Sequence, residues 1–315
     1  MVRNYIILLL LTVSSLWAQK PAEIGVISDN DLYTSPKNDQ YYTNGIEFYY
    51  RYLSTPRKET TAKKITEFRA GQYIYAPQSV IEEDIRYHDR PYAGYLFGEA
   101  GISNYYKLEN VLKMNFQLGV VGPESFAEDV QEGLHKVLGY HTVRGWQYQI
   151  QSLIGVQAEV VYAAKILRKY YSEKVDFYMQ GELKAGTIWN SITVGPMMRI
   201  SLNKNNLTPI YNSALYNAAL RYNKDEYKGR KELFLYINPV INYQLYDATI
   251  EGSMFNDDSV VTFPLIPFRF NAEVGVKYAR EKWNLSYSFN YRGKELSNNV
   301  ITGYYYGSIA IGYFL

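Results

Sequence analysis

Oxygen-bearing side chains are crowded into one stretch near the start of the sequence. They belong to Asp29, Asn30, Asp31, Asp39, Thr43 and Asn44. Carboxylate and amide oxygens grouped in this way suit a divalent cation such as calcium, which takes about six to eight oxygen ligands. The same residue types are also typical of a polar loop between two strands, in which Asx side chains hydrogen-bond to their own backbone. The stretch by itself leaves both interpretations open.

A second group of candidate residues lies in the segment 122–139, which predicts a helix. Ser125 and Glu128 have the spacing of a capping box, and Gly139 supplies a stop. The predicted helix carries one apolar stripe, formed by Phe126, Val130, Leu134, Val137 and Leu138. It therefore breaks the strand pattern that surrounds it.

His135 is one of only three histidines in the chain, and it lies in this predicted helix. Gln131 is one helical turn earlier and shares its face. Histidine is the side chain best suited to exchange a proton at neutral pH, which makes His135 a candidate general base. The alternative is a solvated histidine beside Glu132 and Lys136.

The first residues have the layout of a secretory signal peptide. Arg3 precedes an apolar run over 5–11, and small residues up to Ala18 offer a cleavage site. We therefore expect residues 1–18 to be removed and residues 19–315 to form one exported domain. The absence of cysteine excludes disulfides, thiol catalysis and thiolate metal sites, and a net charge of +2 gives no electrostatic footprint for nucleic acid.

Hydropathy patterning indicates a transmembrane β-barrel. Apolar and polar residues alternate over segments of about ten residues, as in 112–120, 175–185, 268–278 and 283–291. A soluble β-sandwich also alternates, but the chain has 34 tyrosines, and a core so rich in Tyr would need many hydrogen-bond partners. In a barrel the apolar faces meet lipid, Tyr and Trp form girdles at the interfaces, and charged side chains fill the lumen.

The fold class predicted is all-β: a single twelve-stranded antiparallel transmembrane β-barrel with a short helix in an extracellular loop. We predict strands near 22–30, 44–53, 64–75, 95–106, 111–121, 152–168, 175–187, 189–202, 231–245, 265–280, 283–293 and 302–314. Long polar loops, expected at the cell surface, are predicted at 30–43, 76–94, 122–151, 203–230 and 246–264.

Four motifs, in this order and spacing, resemble the lipid A 3′-O-deacylase family. They are Asn30-Asp31, Tyr42-Thr43-Asn44-Gly45, Asp89-Arg90-Pro91-Tyr92-Ala93-Gly94, and the segment from Gly122-Pro123 through Gln131 and His135 to Gly145-Trp146-Gln147. They cover roughly residues 23–150, whereas the C-terminal half resembles the family only in its strand pattern.

The resemblance implies a twelve-stranded, calcium-dependent outer-membrane esterase that removes the 3′-linked acyloxyacyl chain of lipid A. The residues it implies as catalytic are His135 as the base together with Asn30, Asp31 and Thr43. Asp31 and Asn30 are also the implied calcium ligands. No motif-matched lysine stands at the position where the family has a basic oxyanion-stabilising residue.

Three further residues are expected to contact substrate. Asn44 lies in the second motif, and Arg90 and Arg86 lie in the loop of the third, where they would bind the glucosamine phosphates. Surface ion pairs are an equally good interpretation of the two arginines.

Three other functions fit parts of the pattern. A Ser-His-Asn outer-membrane phospholipase is also a calcium-dependent barrel esterase, but it needs a serine beside the histidine on the outer wall. A non-catalytic barrel or narrow pore would need no Asn-Asp pair matched to a distant histidine. A protein with the same fold and motifs would also fit another acylated lipid as its substrate.

Overall fold

The structure is a computed structural model that describes residues 20–34, 41–167, 173–204, 206–298 and 300–315. The predicted signal peptide and Asp39 lie outside the described residues. Among those described, no helix is long and apolar enough to cross a membrane.

Within the described residues, twelve antiparallel strands close into one barrel, in which each strand pairs with the next and the last pairs with the first. They are β1 (Ala22–Asn30), β2 (Tyr41–Ser54), β3 (Thr61–Ala76), β4 (Ala93–Tyr106), β5 (Asn110–Val121), β6 (Leu153–Ile166), β7 (Val175–Gly186), β8 (Trp189–Ser201), β9 (Lys231–Asp247), β10 (Phe268–Arg280), β11 (Trp283–Gly293) and β12 (Gly303–Phe314). The predicted fold class and strand number are confirmed.

Two α-helices lie outside the strands of the barrel. The first, α1 (Ala127–Leu138), contacts β3 and β4 beyond the rim. The second, α2 (Ala248–Glu251), is a single turn that follows β9 and contacts β4. The predicted loop helix is therefore present, and it ends at Gly139 as predicted, where φ is 73°.

The barrel is polar inside and apolar outside. Inside it, Arg51 Nε contacts Glu67 Oε2 at 2.6 Å, and Arg69 contacts Glu47 at 2.8 Å and Glu67 at 2.6 Å. Large apolar side chains are exposed on the outer faces of the strands, among them Phe48, Phe68, Leu118, Ile154, Leu183, Ile192, Leu245 and Phe268. This distribution is the reverse of that in a soluble barrel and is typical of a wall that meets lipid.

The sequence predicts that the tyrosines form girdles on the outside of the barrel, but not all of them lie there. One cluster lies inside the barrel, and its members include Tyr42, Tyr73, Tyr75, Tyr304 and Tyr306. Their hydroxyls find partners on buried carboxylates: Tyr73 donates to Glu47 Oε1 at 2.7 Å and Tyr304 donates to Glu295 Oε1 at 2.9 Å. The polar lumen therefore supplies the partners that a soluble core would lack.

The connection between β8 and β9 lies at the end of the barrel opposite α1, which corrects its prediction as a surface loop. Because the strands alternate in direction, β8 ends where β1 begins. The segment folds into the barrel and buries Ile210, Ala214, Leu215, Ala218 and Leu220 against wall residues such as Leu53, Tyr105 and Phe234. This segment, here called the plug, has apolar residues that could have predicted its position inside the barrel.

Lys63 fastens the plug to the barrel wall. Its Nζ donates hydrogen bonds to Asn212 Oδ1 at 2.9 Å, to the Ala218 carbonyl at 2.9 Å and to the Leu220 carbonyl at 2.5 Å. The side chain is 2 % exposed. Removing the amine would leave buried acceptors without this donor.

We predict that Lys63→Met lowers the free energy of unfolding by about 3 kcal/mol, since it removes three hydrogen bonds at roughly 1 kcal/mol each. Urea unfolding in detergent micelles measures the change. Lys64→Met is the matched control, because Lys64 lies on the other face of β3. Equal stability of the two variants would show that Lys63 does not hold the plug to the barrel wall.

Candidate functional site

An irregularity in β2 places Thr43 at the candidate site. Asp29 and Tyr42 face the lumen, where the Tyr42 hydroxyl donates to Asp29 Oδ2 at 2.9 Å. Because side chains alternate along a strand, Asn30 and Asn44, which pair in register, face outwards. The pairing of β2 with β3 shifts between Tyr42 and Asn44, which makes Thr43 the extra residue of a β-bulge. Such a bulge re-aims a side chain, and Thr43 joins the outward group.

These outward residues form one side of a pocket of about 390 Å³ between the barrel wall and α1. The predicted site residues that line it are Asn30, Asp31, Thr43, Asn44 and His135. Apolar side chains complete the walls, including Leu32, Ile46, Val130, Leu134 and Leu138. Residues from three separate sequence motifs thus meet at one place, outside the barrel and at its rim.

Four pocket residues, here called the oxygen group, carry side-chain oxygens: Asn30, Asp31, Thr43 and Asn44. This group also makes the local hydrogen bonds of a turn. Asn30 caps a short 3₁₀ turn, Asp31–Tyr33, by accepting from the Leu32 amide through Oδ1 at 2.7 Å. Its Nδ2 donates to Asn44 Oδ1 at 2.5 Å. Asp31 is 3 % exposed but lines the pocket. The loop interpretation is therefore confirmed, and the site interpretation stays a prediction, in which the Asx turn would hold the Asn30 side chain in place.

The hydrogen bond that His135 makes fixes which ring nitrogen is basic. Nδ1 lies 2.8 Å from the backbone carbonyl of His141. A carbonyl oxygen only accepts, so Nδ1 carries the hydrogen, and in the neutral ring Nε2 keeps its lone pair. The ring also packs edge-on against Tyr140, with centroids 5.6 Å apart. These contacts orient the His135 ring, while its role as a general base and the solvated alternative beside Glu132 and Lys136 both stay predictions.

Gln131 anchors the helix that carries His135. It is fully buried, and its Oε1 accepts from Trp146 Nε1 at 2.9 Å. Trp146 in turn packs on Tyr92 with ring centroids 4.7 Å apart, and the Tyr92 hydroxyl donates to the Arg144 carbonyl at 2.9 Å. Packed side chains thus connect the third motif, residues 89–94, to the helix that carries His135.

Gly94 allows the start of α1 to rest on the barrel. A Cβ at this position would lie 2.0 Å from Ser125 Oγ and 2.2 Å from Ala127 Cβ.

The predicted capping box of Ser125 and Glu128 is wrong. Ser125 instead closes a preceding 3₁₀ turn by donating to the Gly122 carbonyl at 2.6 Å, and α1 begins after Phe126, whose φ is 58°.

Arg90 is buried in the protein and does not line the candidate pocket. It is fully buried, its Nη2 donates to Thr249 Oγ1 at 2.9 Å, and its guanidinium lies 4.4 Å from the centre of the Tyr75 ring. It has no exposed surface on which a phosphate could bind. The prediction that Arg90 contacts substrate is not supported; its contacts instead connect the third motif to α2.

Arg86 is exposed and makes an ion pair with Asp84. The neighbouring guanidinium lowers the pKa of the Asp84 carboxyl to about 2. Arg86 does not line the candidate pocket, so its contact with substrate stays a prediction.

Gln72 and Ser28 line the pocket but were missed from the sequence. Gln72 faces outwards on β3, and its Nε2 donates to the Ser125 carbonyl at 2.6 Å. Ser28 faces outwards on β1, and its hydroxyl lies 2.9 Å from that of Tyr33. Neither belongs to a motif, but the two-residue period of β1 and β3 would have placed both beside Asn30 and Asn44.

The side-chain oxygens in this pocket are of the types that bind a calcium ion. They are the Asp31 carboxylate, the amide oxygens of Asn30 and Asn44, and the Thr43 hydroxyl. Nowhere in the described chain do three or more His, Asp or Glu side chains converge to hold a metal ion, so a cation in this pocket would depend largely on neutral oxygens. Neutral oxygens with a single carboxylate suit a hard cation bound with modest affinity.

Comparison with known proteins gives one family. The model of the family described as Outer membrane protein LpxR matches residues 5–315. The structure of LpxR from Salmonella typhimurium superposes with a TM-score of 0.74 at 18 % identity, covering 93 % of this chain and 100 % of that one. The β domain of the Bordetella autotransporter BrkA matches with a TM-score of 0.48 at 8 % identity, over 93 % and 98 % of the two chains. Among curated protein sequences, none matches.

We predict that Gly94→Ala displaces α1 while leaving the barrel closed, because the added methyl group overlaps Ser125 and Ala127. Limited proteolysis of the segment 122–152 should become several-fold faster, and the heat-modified electrophoretic migration of the barrel should not change. Gly98→Ala is the control, since a Cβ at Gly98 on the same strand has no described atom within 4 Å. If the two variants are cleaved at the same rate, Gly94 has no such role.

Proposed function

This chain belongs to the Outer membrane protein LpxR family, and on that premise we propose that it is an outer-membrane esterase that removes the 3′-linked acyloxyacyl chain of lipid A. The substrate is lipopolysaccharide in the outer leaflet. The reaction is the hydrolysis of a carboxylic ester.

The observation that supports this function best is the position of the pocket on the outer wall. Asn30, Asn44 and Gln72 face the same side of the sheet as Ile46 and the other exposed apolar side chains of the strands. An ester-bearing lipid in the outer leaflet would reach these residues by lateral diffusion. It would not need to leave the membrane or enter the lumen.

His135 supplies the proton chemistry in this proposal. Its Nε2 accepts a proton from a water molecule as the water oxygen forms a bond to the ester carbonyl carbon. The carbonyl oxygen becomes an oxyanion, for which the Asn30 amide is a hydrogen-bond donor. The Thr43 hydroxyl would be a second donor once it turns from the Ile74 carbonyl, to which it donates at 3.3 Å. When the ester C–O bond breaks, the proton passes from His135 to the sugar oxygen, so that a carboxylic acid and a sugar hydroxyl are released.

The oxygen group would hold the calcium ion that we propose as cofactor. Asp31 and Asn30 are the ligands we assign first, because they are adjacent and held by the turn that Asn30 caps. Bound there, calcium would supply a Lewis acid for the ester carbonyl. Asn44 would complete the shell or contact the sugar.

Two alternative functions meet specific obstacles in the structure. A pore requires a continuous lumen, whereas the segment between β8 and β9 packs inside the barrel at the end opposite α1. A phospholipase with a serine nucleophile requires a serine near His135, and Ser28 lines the same pocket. The Ser28 hydroxyl, however, is paired with Tyr33, and no described contact joins it to His135.

We predict that His135→Gln and Asp31→Asn each lower kcat by about 10²- to 10⁴-fold, the range expected for loss of a general base or of charge stabilisation. Ser28→Ala should leave kcat close to that of the wild type, because water is the nucleophile. Release of fatty acid from purified lipid A in detergent with calcium measures the rates.

His141→Gln is the matched control for the histidine variant, because His141 holds His135 through its backbone carbonyl alone. Loss of activity in Ser28→Ala as complete as that in His135→Gln would replace the proposal with a serine-nucleophile mechanism.

A further inference from the structure

A second hollow, of about 410 Å³, opens on the outer wall of the barrel below the candidate pocket. Its walls are apolar side chains, those of Ile24, Val26, Phe48 and Ile311. Its floor is the backbone of Gly25 and Gly312, which pair in register across the seam between β1 and β12.

The hollow and the candidate pocket are consecutive steps on the same face of the same two strands. Ser28 and Ile46 line the pocket and pair with each other. Val26 and Phe48 line the hollow and also pair with each other, one step along the ladder. An extended ligand that leaves the pocket along this face would enter the hollow directly.

The floor of the hollow is held rigidly from inside the barrel. A Cβ on Gly25 would lie 2.3 Å from the Tyr49 hydroxyl oxygen, so the glycine lets the Tyr49 ring lie against the wall. The Tyr49 hydroxyl donates to Glu23 Oε1 at 3.0 Å, and the Arg51 guanidinium lies 3.9 Å from the ring centre. Buried contacts therefore support the floor of the hollow, while most of its walls are exposed side chains.

With Asn30 taken as the edge of the hydrocarbon core, the hollow would lie at the depth that the end of an outer-leaflet acyl chain reaches. Val26 and Ile24 are about 13 and 20 Å along β1 from Asn30, at a rise of roughly 3.3 Å per residue. A strand tilt of roughly 40° converts these distances into about 10 and 15 Å of depth. The midplane of the membrane is about 15 Å below the edge of its hydrocarbon core.

We propose that this hollow receives the distal end of the acyl chain whose ester is cleaved in the candidate pocket, and that it sets the longest chain that is released efficiently. The inference rests on the proposed esterase function and adds chain-length specificity to it. Because surrounding lipid is as apolar as the hollow, selection arises from shape and packing rather than from removal of methylene groups from water. A chain that outgrows the hollow loses its packed path and with it the alignment of the ester.

The test fills the hollow at two depths. Val26→Trp obstructs it near the pocket, and Ile24→Trp obstructs it one step deeper. The control is Val194→Trp, at an outward position on β8 that is 50 % exposed and remote from the hollow. The substrates are lipid A-type glycolipids that differ only in the length of the 3′-linked acyl chain, and kcat/KM is measured for each.

For Val26→Trp we expect the longest chains to lose roughly tenfold or more in kcat/KM, a usual effect of a blocked apolar pocket, with the shortest chain nearly unchanged. Ile24→Trp should affect only the longest chains, and Val194→Trp none. Equal loss at every chain length, or the same profile in all three variants, would overturn the proposal. If Val26→Trp fails to fold, as judged by heat-modified migration, Ile24→Trp and the smaller change Val26→Phe decide the question.

A failure of the proposed function would be recognised separately. In that case the wild-type protein would release no acyl chain of any length, whereas an active wild type with an unaltered chain-length profile in the variants would refute only the role of the hollow.

Discussion

The alternation of side chains along a barrel strand decides where chemistry can occur in this protein. Along β1, Asp29 faces a lumen of paired charges, and its neighbour Asn30 faces the lipid side. The lumen is occupied by ion pairs and tyrosines and is filled at one end by the plug, so it offers no path for a large lipid. The outer face is where a membrane lipid already lies. A polar site on that face must be shielded from lipid, and α1 provides the cover.

Placing a helix against an outer wall requires contacts that strands do not supply. Gly94 removes the side chain that would separate the helix from β4, and Gln131 bonds to Trp146, which rests on Tyr92. The third motif therefore acts as a positioning element for α1 through Gly94 and Tyr92, while its buried Arg90 contacts α2 instead. The position of His135 therefore depends on packing at a distance, as expected for a site residue on a helix that is carried by a long loop.

The sequence predicted much of this arrangement because barrel strands have a strict two-residue period. The number of strands follows from that period, and the loop helix from the apolar stripe and Gly139 that interrupt it. The convergence of Asn30, Asp31 and His135 on one rim follows from the strand ends together with the motifs of the resemblance. What it did not contain was the bulge at Thr43, which depends on the register with β3, and the direction in which each long connection folds. The length of the segment between β8 and β9 predicts a surface loop, which is wrong. Its apolar residues indicate an internal plug only once the strand directions place the segment at the opposite end.

Some residues were misjudged because residue type was a poor guide to burial. The position of Arg90 in a polar loop predicts a phosphate ligand, yet the side chain is fully buried, donates to Thr249 and lies over aromatic rings. Ser125 looked like a helix cap, yet it belongs to the turn before the helix. In both cases a partner distant in sequence or a backbone conformation decided the role, and neither can be read from local spacing.

The central claim is that the outer-wall pocket hydrolyses one ester of lipid A. Mass spectrometry of lipid A incubated with the purified wild-type protein, in calcium and in chelator, tests it most directly. We expect the 3′-linked acyloxyacyl group alone to be lost in calcium and the lipid to be unchanged in chelator. Lipid A that stays intact under both conditions, or that loses an acyl group from a different position, would contradict it.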